Sequence, residues 1–273
     1  MALRDDVIAT IKHPAIVQAR QSIGQAGREG PTSFLVDGHS LVSQAVAAGA
    51  PVERLFFLAP VEGAKHRALL EDAQTRGIEC HRVSKGIFFR LLGLGYETSV
   101  RVLAVVRRKT SPETTQPTGP GTCVLVGERI QDPRNIGVLI RTADAYGTSH
   151  AVFSAGSADP FCRASVRSTT GSIFRVPLTI AEDVAGCLGR LAESGMKIVG
   201  TSAQAARLCW EEDLSGPCAI VLGNETAGLS DGAKALCDAL VSIPMSGGAH
   251  SFNVTVAAGI VFYERARQRQ EKL

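Results

Sequence analysis

The sequence predicts an α/β protein: a mostly parallel sheet with helices on both faces, preceded by a smaller α/β domain. Three observations carry this. After residue 121, short apolar runs alternate with amphipathic helical segments, the pattern of a parallel sheet with crossover helices. Residues 109–121, KTSPETTQPTGPG, hold three prolines, four threonines, two glycines and no large apolar side chain, the composition of a linker. The 273 residues are 45% hydrophobic and 20% charged, enough for full cores in two ordinary domains. The expected division is 1–108, linker 109–121, and 122–273.

In the first part, Met1–Ile11 reads as an introductory helix, broken at Lys12-His13-Pro14 because a residue before proline leaves helical angles. Residues 15–31 read as a helix followed by a mobile loop. Strands are expected at 34–38, 52–57, 78–83 and 100–106, with helices at 40–48, 65–76 and 84–92. Gly93-Leu94-Gly95 lacks the third glycine of a dinucleotide fingerprint and reads as a turn. In the second part, strands are expected at 123–126, 151–153, 176–180, 197–201, 219–222 and 240–243. Helices are expected at 133–146, 161–170, 183–194, 231–237 and 253–269.

Composition narrows the function. No apolar run approaches 18 residues and no basic-then-apolar leader opens the chain, so a soluble, cytoplasmic protein is expected. Seven cysteines, an odd number without a C-x-x-C pair, read as small core residues of a reducing compartment rather than metal ligands or disulfides. Residues 1–109 hold 15 Lys+Arg against 10 Asp+Glu, while 110–273 hold 14 against 16. The basic half suits a polyanion, although a solvated basic face has the same composition.

Ligands of a parallel sheet bind beyond the carboxyl ends of its strands, which singles out three loops. The first, GERIQDPRN, follows strand 123–126. Asp132 and Pro133 are a cap and first-turn pair that start a helix, with Glu128, Arg134 and Asn135 at its mouth and Arg141 farther along. Spacing alone leaves Arg141 open between an ion pair and a functional cation. The second loop is 222-LGNETAGL-229, where Gly223 and Gly228 permit close backbone approach and Glu225 brings a carboxylate. The third is 243-IPMSGGAHSFN-253, with Ser251 and Asn253 at a helix mouth. His250 beside Ser251 lacks an acid partner for a nucleophilic triad.

Together these motifs closely resemble the SpoU (TrmH-type) RNA ribose 2′-O-methyltransferases of the SPOUT superfamily. The first motif is carried by Asp132, Pro133, Asn135, Gly137 and Arg141, and the second by Gly223, Glu225, Gly228 and Leu229. The third is carried by Ile243-Pro244-Met245 and Ser251-Phe252-Asn253-Val254-Thr255. Phe252 and Thr255 depart from the family's Leu and Ser. The resemblance implies a C-terminal trefoil knot, an N-terminal RNA-binding domain similar to a small ribosomal protein, a homodimer, and no metal. It implies S-adenosylmethionine bound by Thr201, Ser202, Leu222, Gly223, Asn224, Gly228, Ile243, Met245, Ser251 and Phe252. Arg141, Asn135, Glu225, Ser251 and Asn253 are the implied catalytic set. Arg141 is either the base for the 2′-hydroxyl or, since a guanidinium holds its proton, a fixed charge that stabilises the alkoxide. Arg134, Arg163, Arg167, Ser168 and Thr169 are expected on RNA phosphates. Ribosomal RNA is the favoured substrate, with transfer RNA or a non-catalytic RNA-binding role as alternatives. A nicotinamide oxidoreductase is disfavoured by the missing G-x-G-x-x-G.

Overall fold

The computed structural model describes residues 6–24, 31–93, 99–115, 117 and 119–270. Among them the chain runs β1 (Val7–Ile8), α1 (Pro14–Ser22), β2 (Ser33–Asp37), α2 (His39–Ala47), β3 (Val52–Leu58), α3 (Ala64–Thr75), β4 (Glu79–Val83), α4 (Lys85–Leu92) and β5 (Val102–Arg107). It continues through β6 (Cys123–Gly127), α5 (Pro133–Ala145), β7 (His150–Ser154), α6 (Arg163–Ser168), β8 (Leu178–Ala181), α7 (Val184–Glu193) and β9 (Lys197–Thr201). It ends with β10 (Arg207–Leu208), β11 (Cys218–Leu222), α8 (Asp231–Ala235), β12 (Ala239–Ser242) and α9 (Val254–Gln270). Two compact units result. One holds 1–108 together with 161–174; the other holds 109–160 and 175–273.

The first unit is a five-stranded sheet in the order β1-β4-β3-β5-β2. Strands β1, β4 and β3 run parallel, while β5 is antiparallel to β3 and β2. Ile8, Ile16, Phe56, Phe88, Leu91 and Leu103 share one core. The expected N-terminal helix is corrected here: Val7 and Ile8 pair with Arg82 and Val83 at the edge of the sheet. Two β-branched residues beside an open strand edge gain ladder hydrogen bonds and burial of Ile8 together. Residues 1–5, and 25–30 of the expected mobile loop, lie outside the described residues. Gly93, at φ 66°, ends α4, and the rest of the Gly93–Gly95 turn lies outside them too.

Segment 161–174, expected as a helix of the second domain, packs into the first unit. The Phe161 ring lies 5.1 Å from Phe34 and 5.0 Å below the Arg108 guanidinium. Its helix shortens to α6, followed by a single 3-10 turn at Ser172–Phe174. Thr169 follows α6 and accepts from the Gly171 N–H, which closes the helix early.

The second unit is a seven-stranded, wholly parallel sheet in the order β10-β12-β9-β11-β6-β7-β8. Every residue of β6, β7 and β11 is buried, as expected of strands covered on both faces. Two-residue β10 had too little sequence to register as a strand. The linker is tied down on its C-terminal neighbour: Ser111 N–H donates to Leu178 O at 2.7 Å, and Glu113 accepts from the Glu182 N–H at 2.6 Å.

Helix α9 packs on α5, with the Tyr146 and Phe262 rings stacked at 5.9 Å. Val254, Ala258, Val261 and Phe262 are therefore buried in their own unit and are not a face left for a partner. The large apolar side chains that α5 and α9 do expose are Val138, Val256 and Tyr263. No helix among the described residues is long and apolar enough to cross a membrane.

Candidate active site

Because β12, β9, β11 and β6 are parallel neighbours, the loops that follow them emerge at one end of the sheet. A single side chain ties two of them together. Glu225 accepts from Asn135 Nδ2 at 2.8 Å, from Gln131 N–H at 3.1 Å and from Asp132 N–H at 3.3 Å. Asn135 Oδ1 in turn accepts from Asn253 Nδ2 at 3.3 Å. Asn253 Oδ1 accepts from the N–H and hydroxyl of Thr255 at 2.8 and 2.7 Å, starting α9. One hydrogen-bond chain thus joins all three loops. Burial pushes the Glu225 carboxyl up, but the Asn135 amide and the backbone N–H groups outweigh it and hold the group below its ordinary value.

Backbone geometry is as constrained as the polar chain. A Cβ on Gly223 would stand 2.3 Å from the Gly228 carbonyl carbon, so only glycine lets these strands of backbone touch. Asn224 locks the same loop: its Oδ1 accepts from Thr226 and Ala227 N–H at 3.0 and 2.8 Å, and its Nδ2 donates to Arg129 O at 2.8 Å. Arg129 sits at φ 53°, with its N–H donated to Ser154 Oγ at 2.8 Å. The sequence reading passed over Arg129, and it named Glu128 at the mouth of the helix without its partner. Glu128 is buried and accepts from Ser230 N–H and Oγ at 2.8 and 2.6 Å, fixing the start of α8. An acidic residue at a strand end followed 102 positions later by a helix-capping serine leaves no local signal.

A cavity of about 360 Å³ opens between these loops. Thr201, Ser202, Gly223, Asn224, Glu225, Gly228, Ile243, Met245, Ser251 and Phe252 line it, all expected at the site. Gln204, Lys234 and His250 line it as well. Leu222 does not: its side chain is buried and its carbonyl accepts from Glu128 N–H at 2.8 Å. The wall is mixed, with Ile243, Met245, Leu229 and Phe252 beside hydroxyls, amides and one ammonium. This is the lining of a site for a ligand with both a flat apolar part and a charged end.

Arg141 is exposed on α5 and makes no hydrogen bond or ion pair among the described residues, so the ion-pair alternative does not hold. Arg134, Val138, Arg141 and Ala145 share one exposed stripe at helical spacing. Arg134 is held by Asp132 at 3.0 Å, and hydrogen bonds from that arginine lower the Asp132 carboxyl. Among the expected RNA contacts, Arg163 and Arg167 both reach Asp37 within the first unit, at 2.9 and 2.7 Å. Ser168 Oγ donates to Ala164 O at 3.0 Å. Thr169 is fully buried and its hydroxyl donates to Val166 O at 2.8 Å, which leaves it no surface for a phosphate. Among the described residues there is no group of His, Cys, Asp and Glu that could hold a metal.

Residues 122–263 match the model of the SpoU rRNA Methylase family. The 23S rRNA (uridine(2479)-2′-O)-methyltransferase of Streptomyces viridochromogenes is 34% identical, over 86% of this chain and 83% of that one. The 23S rRNA (guanosine(2553)-2′-O)-methyltransferase RlmP of Bacillus subtilis is 31% identical, over 85% and 87%. Among solved structures, an AdoMet-bound rRNA methyltransferase from Sinorhizobium meliloti superposes with a TM-score of 0.81 at 26% identity, over 96% of this chain and 97% of that one. A family model spanning half the chain, relatives aligned nearly end to end, and three motif loops joined by one hydrogen-bond chain place the protein in the SpoU rRNA methylase family.

Proposed function

We propose that this protein methylates the 2′-hydroxyl of a ribose in 23S ribosomal RNA, with S-adenosylmethionine as donor. The observation that carries this is the Asn253–Asn135–Glu225 chain, which sets three motif loops around one cavity. Both enzymes named above modify a 23S rRNA ribose, one at uridine and one at guanosine, so the base is left open.

The residues present suit the cofactor. Backbone of 223–228 and the Ile243, Met245 and Phe252 side chains offer an apolar slot for adenine, and Lys234 an ammonium for a carboxylate. When bound, S-adenosylmethionine supplies an electrophilic methyl group. The chain's task is then to fix a ribose hydroxyl in line with it, since positioning can supply much of the rate. Glu225 has donors on both oxygens, so it holds Asn135 and the start of α5 rather than taking a proton. Asn135 and Asn253 order the mouth of the site, and Ser251 offers a hydroxyl at its rim. Arg141 acts as a fixed charge, because a guanidinium does not give up its proton in proteins. It binds the phosphate beside the target ribose and stabilises the alkoxide, and the proton leaves to water.

Three further features belong to this reading. The strand order β12-β9-β11-β6 supports a knotted C-terminal half. Exposed Val138, Val256 and Tyr263 on the packed pair α5 and α9 support a homodimer through that surface. The basic first unit selects the RNA, and a ribosomal substrate supports a cytoplasmic location. The test is transfer of tritiated methyl from S-adenosylmethionine to 23S rRNA transcript, with the label recovered in an alkali-resistant dinucleotide. Label in a base, or none in RNA, would refute the proposal.

A further inference from the structure

The second unit holds a pair of thiols at the end of its sheet away from the active site, and methyl transfer uses neither. Cys123 opens β6 and Cys218 opens β11, and the two are register partners in the parallel sheet. Register partners on neighbouring strands point to the same face, and the two sulfurs stand 3.9 Å apart. Neighbouring strands lie about 4.8 Å apart, inside the roughly 4.4–6.8 Å that a disulfide spans between Cα atoms. Closing a bond here therefore calls on side-chain rotation and not on backbone movement.

The pair lies beside a buried cation. Arg265 of α9 is 6% exposed and makes no ion pair with a carboxylate among the described residues. Its Nε–H points at Cys218 Sγ at 3.3 Å, and its Nη2 donates to Gly121 O at 2.7 Å and Thr122 O at 3.4 Å. Arg269, one turn on, donates to the Gly121 carbonyl at 2.6 Å. Carbonyls satisfy donors but carry no net charge, and a buried guanidinium without an anion is costly. Of the atoms that accept from Arg265, only the Cys218 sulfur can become a full anion. The facing Cys123 S–H, together with Arg265 and Arg269, favours the Cys218 thiolate by more than burial opposes it, so this thiol lies below its ordinary value. The same sulfur–sulfur contact, with burial, pushes Cys123 well up.

Other cysteines are differently placed. Cys80 and Cys237 are more exposed than the pair. Burial and then Glu79 push the Cys80 thiol up to about 12, and burial and then Asp238 push Cys237 up to about 11. Exposure and nucleophilicity thus point at different cysteines.

We propose that Cys218 and Cys123 form a hydroperoxide-reactive dithiol, in which Cys218 attacks as a thiolate paired with Arg265 and the two residues close to a disulfide. In the first step Cys218 Sγ attacks one peroxide oxygen: an S–O bond forms, the O–O bond breaks, and the leaving oxyanion takes a proton from water. Cys218 is then a sulfenic acid. In the second step Cys123 Sγ attacks Cys218 Sγ: the S–S bond forms, the S–O bond breaks, and the hydroxide takes the Cys123 proton and leaves as water. The two sulfurs together lose two electrons and the peroxide gains them. Cys123 and Cys218 are 2% and 1% exposed, so the small, neutral oxidant enters when the last turns of α9 lift. Those turns are held by both arginines and by Gln268, which donates to Glu212 O at 3.0 Å and accepts from the Leu214 N–H at 2.8 Å. In a reducing compartment such a disulfide is transient, the use typical of a redox sensor. The proposal is independent of the methyl-transfer reading.

The test uses the full reduced chain, treated with hydrogen peroxide at pH 7, trapped with iodoacetamide at timed intervals and mapped by peptide mass spectrometry. Linked peptides carrying Cys123 and Cys218, two hydrogens lighter than the free pair, should appear before Cys80 or Cys237 loses its thiol, and dithiothreitol should reverse the link. Cys123→Ser should stop at a sulfenic acid on Cys218, captured by dimedone, and Cys218→Ser should leave Cys123 unoxidised. Arg265→Gln should slow oxidation of the pair about tenfold, the effect on thiolate fraction of moving a thiol midpoint by about one pH unit. Arg265→Lys should recover most of that rate. Each rate is normalised to hydrogen exchange at the Cys218 amide, which reports opening, and circular dichroism reports the fold. Should Arg265→Gln not fold, the pH profile of the wild-type rate decides. A midpoint below that of a free thiol, about 8.5, supports the proposal, and one at or above it overturns it. Oxidation of Cys80 or Cys237 ahead of the pair, Cys123 oxidation that persists in Cys218→Ser, or an unchanged normalised rate in a folded Arg265→Gln would each overturn it as well.

Discussion

Breaking the bond between Asn135 and Glu225 should unlock two of the three loops, and the cost can be worked from the geometry. Asn135→Ala removes one donor at 2.8 Å; Glu225→Gln removes the charge that three donors share. A hydrogen bond to a charged group contributes about 1.5–3 kcal/mol when desolvated. Both side chains are reached by solvent here, so a coupling of about 1 kcal/mol is the reasonable expectation for the pair. The assay is urea unfolding of wild type, both single variants and the double variant. The pH dependence carries a definite sign. The folded Glu225 carboxyl lies below its unfolded value, so its contribution is present above that unfolded value, near pH 4.3, and is lost as pH falls through the folded one. Coupling should therefore be full at pH 7 and shrink in acid. Strict additivity at pH 7, within about 0.3 kcal/mol, or coupling that grows on acidification, would refute the reasoning.

Other outcomes follow from the same geometry. Gly223→Ala should lower stability and abolish measurable cofactor binding by calorimetry, because the added carbon would overlap the Gly228 backbone. Glu128→Ala strips a buried acceptor from Ser230 N–H and Oγ and should lower unfolding free energy by about 2–3 kcal/mol in urea, with α8 losing protection from hydrogen exchange first. Tyr263→Glu should shift the protein toward monomer in light scattering if the exposed face of α9 meets a second copy; an unchanged mass would remove that surface from consideration.

Much of the second unit was legible because parallel strands buried on both faces read as continuous apolar runs, as in 123–126 and 219–222. The cap of α5 was equally plain, since Asp132 and Pro133 act within two residues of each other, and Asp132 Oδ1 accepts from Arg134 N–H at 2.8 Å. Three kinds of information were not local. Val7–Ile8 became a strand only because β4 offers an edge. Segment 161–174 has helical spacing but packs where Phe34 and Asp37, more than 120 residues earlier, receive it. That placement also means that cutting the chain at residue 108 would leave Phe161 and two arginines without their partners. In α9 the periodicity located an apolar face correctly but not what covers it, since α5 of the same chain was an equally good candidate as a second copy. At the site, the residue types and their three loops were readable. The chain of contacts among Asn253, Asn135 and Glu225 was not, because it spans 118 positions.

The most direct test compares wild type with Arg141→Ala on 23S rRNA transcript, with saturating S-adenosylmethionine and nucleotide-resolution mapping of ribose methylation. The account predicts one 2′-O-methylated nucleotide for wild type. For the variant it predicts turnover reduced about 10²- to 10³-fold with cofactor affinity retained, the effect of losing one stabiliser of developing negative charge. Near wild-type turnover in Arg141→Ala, at the same nucleotide, would contradict it.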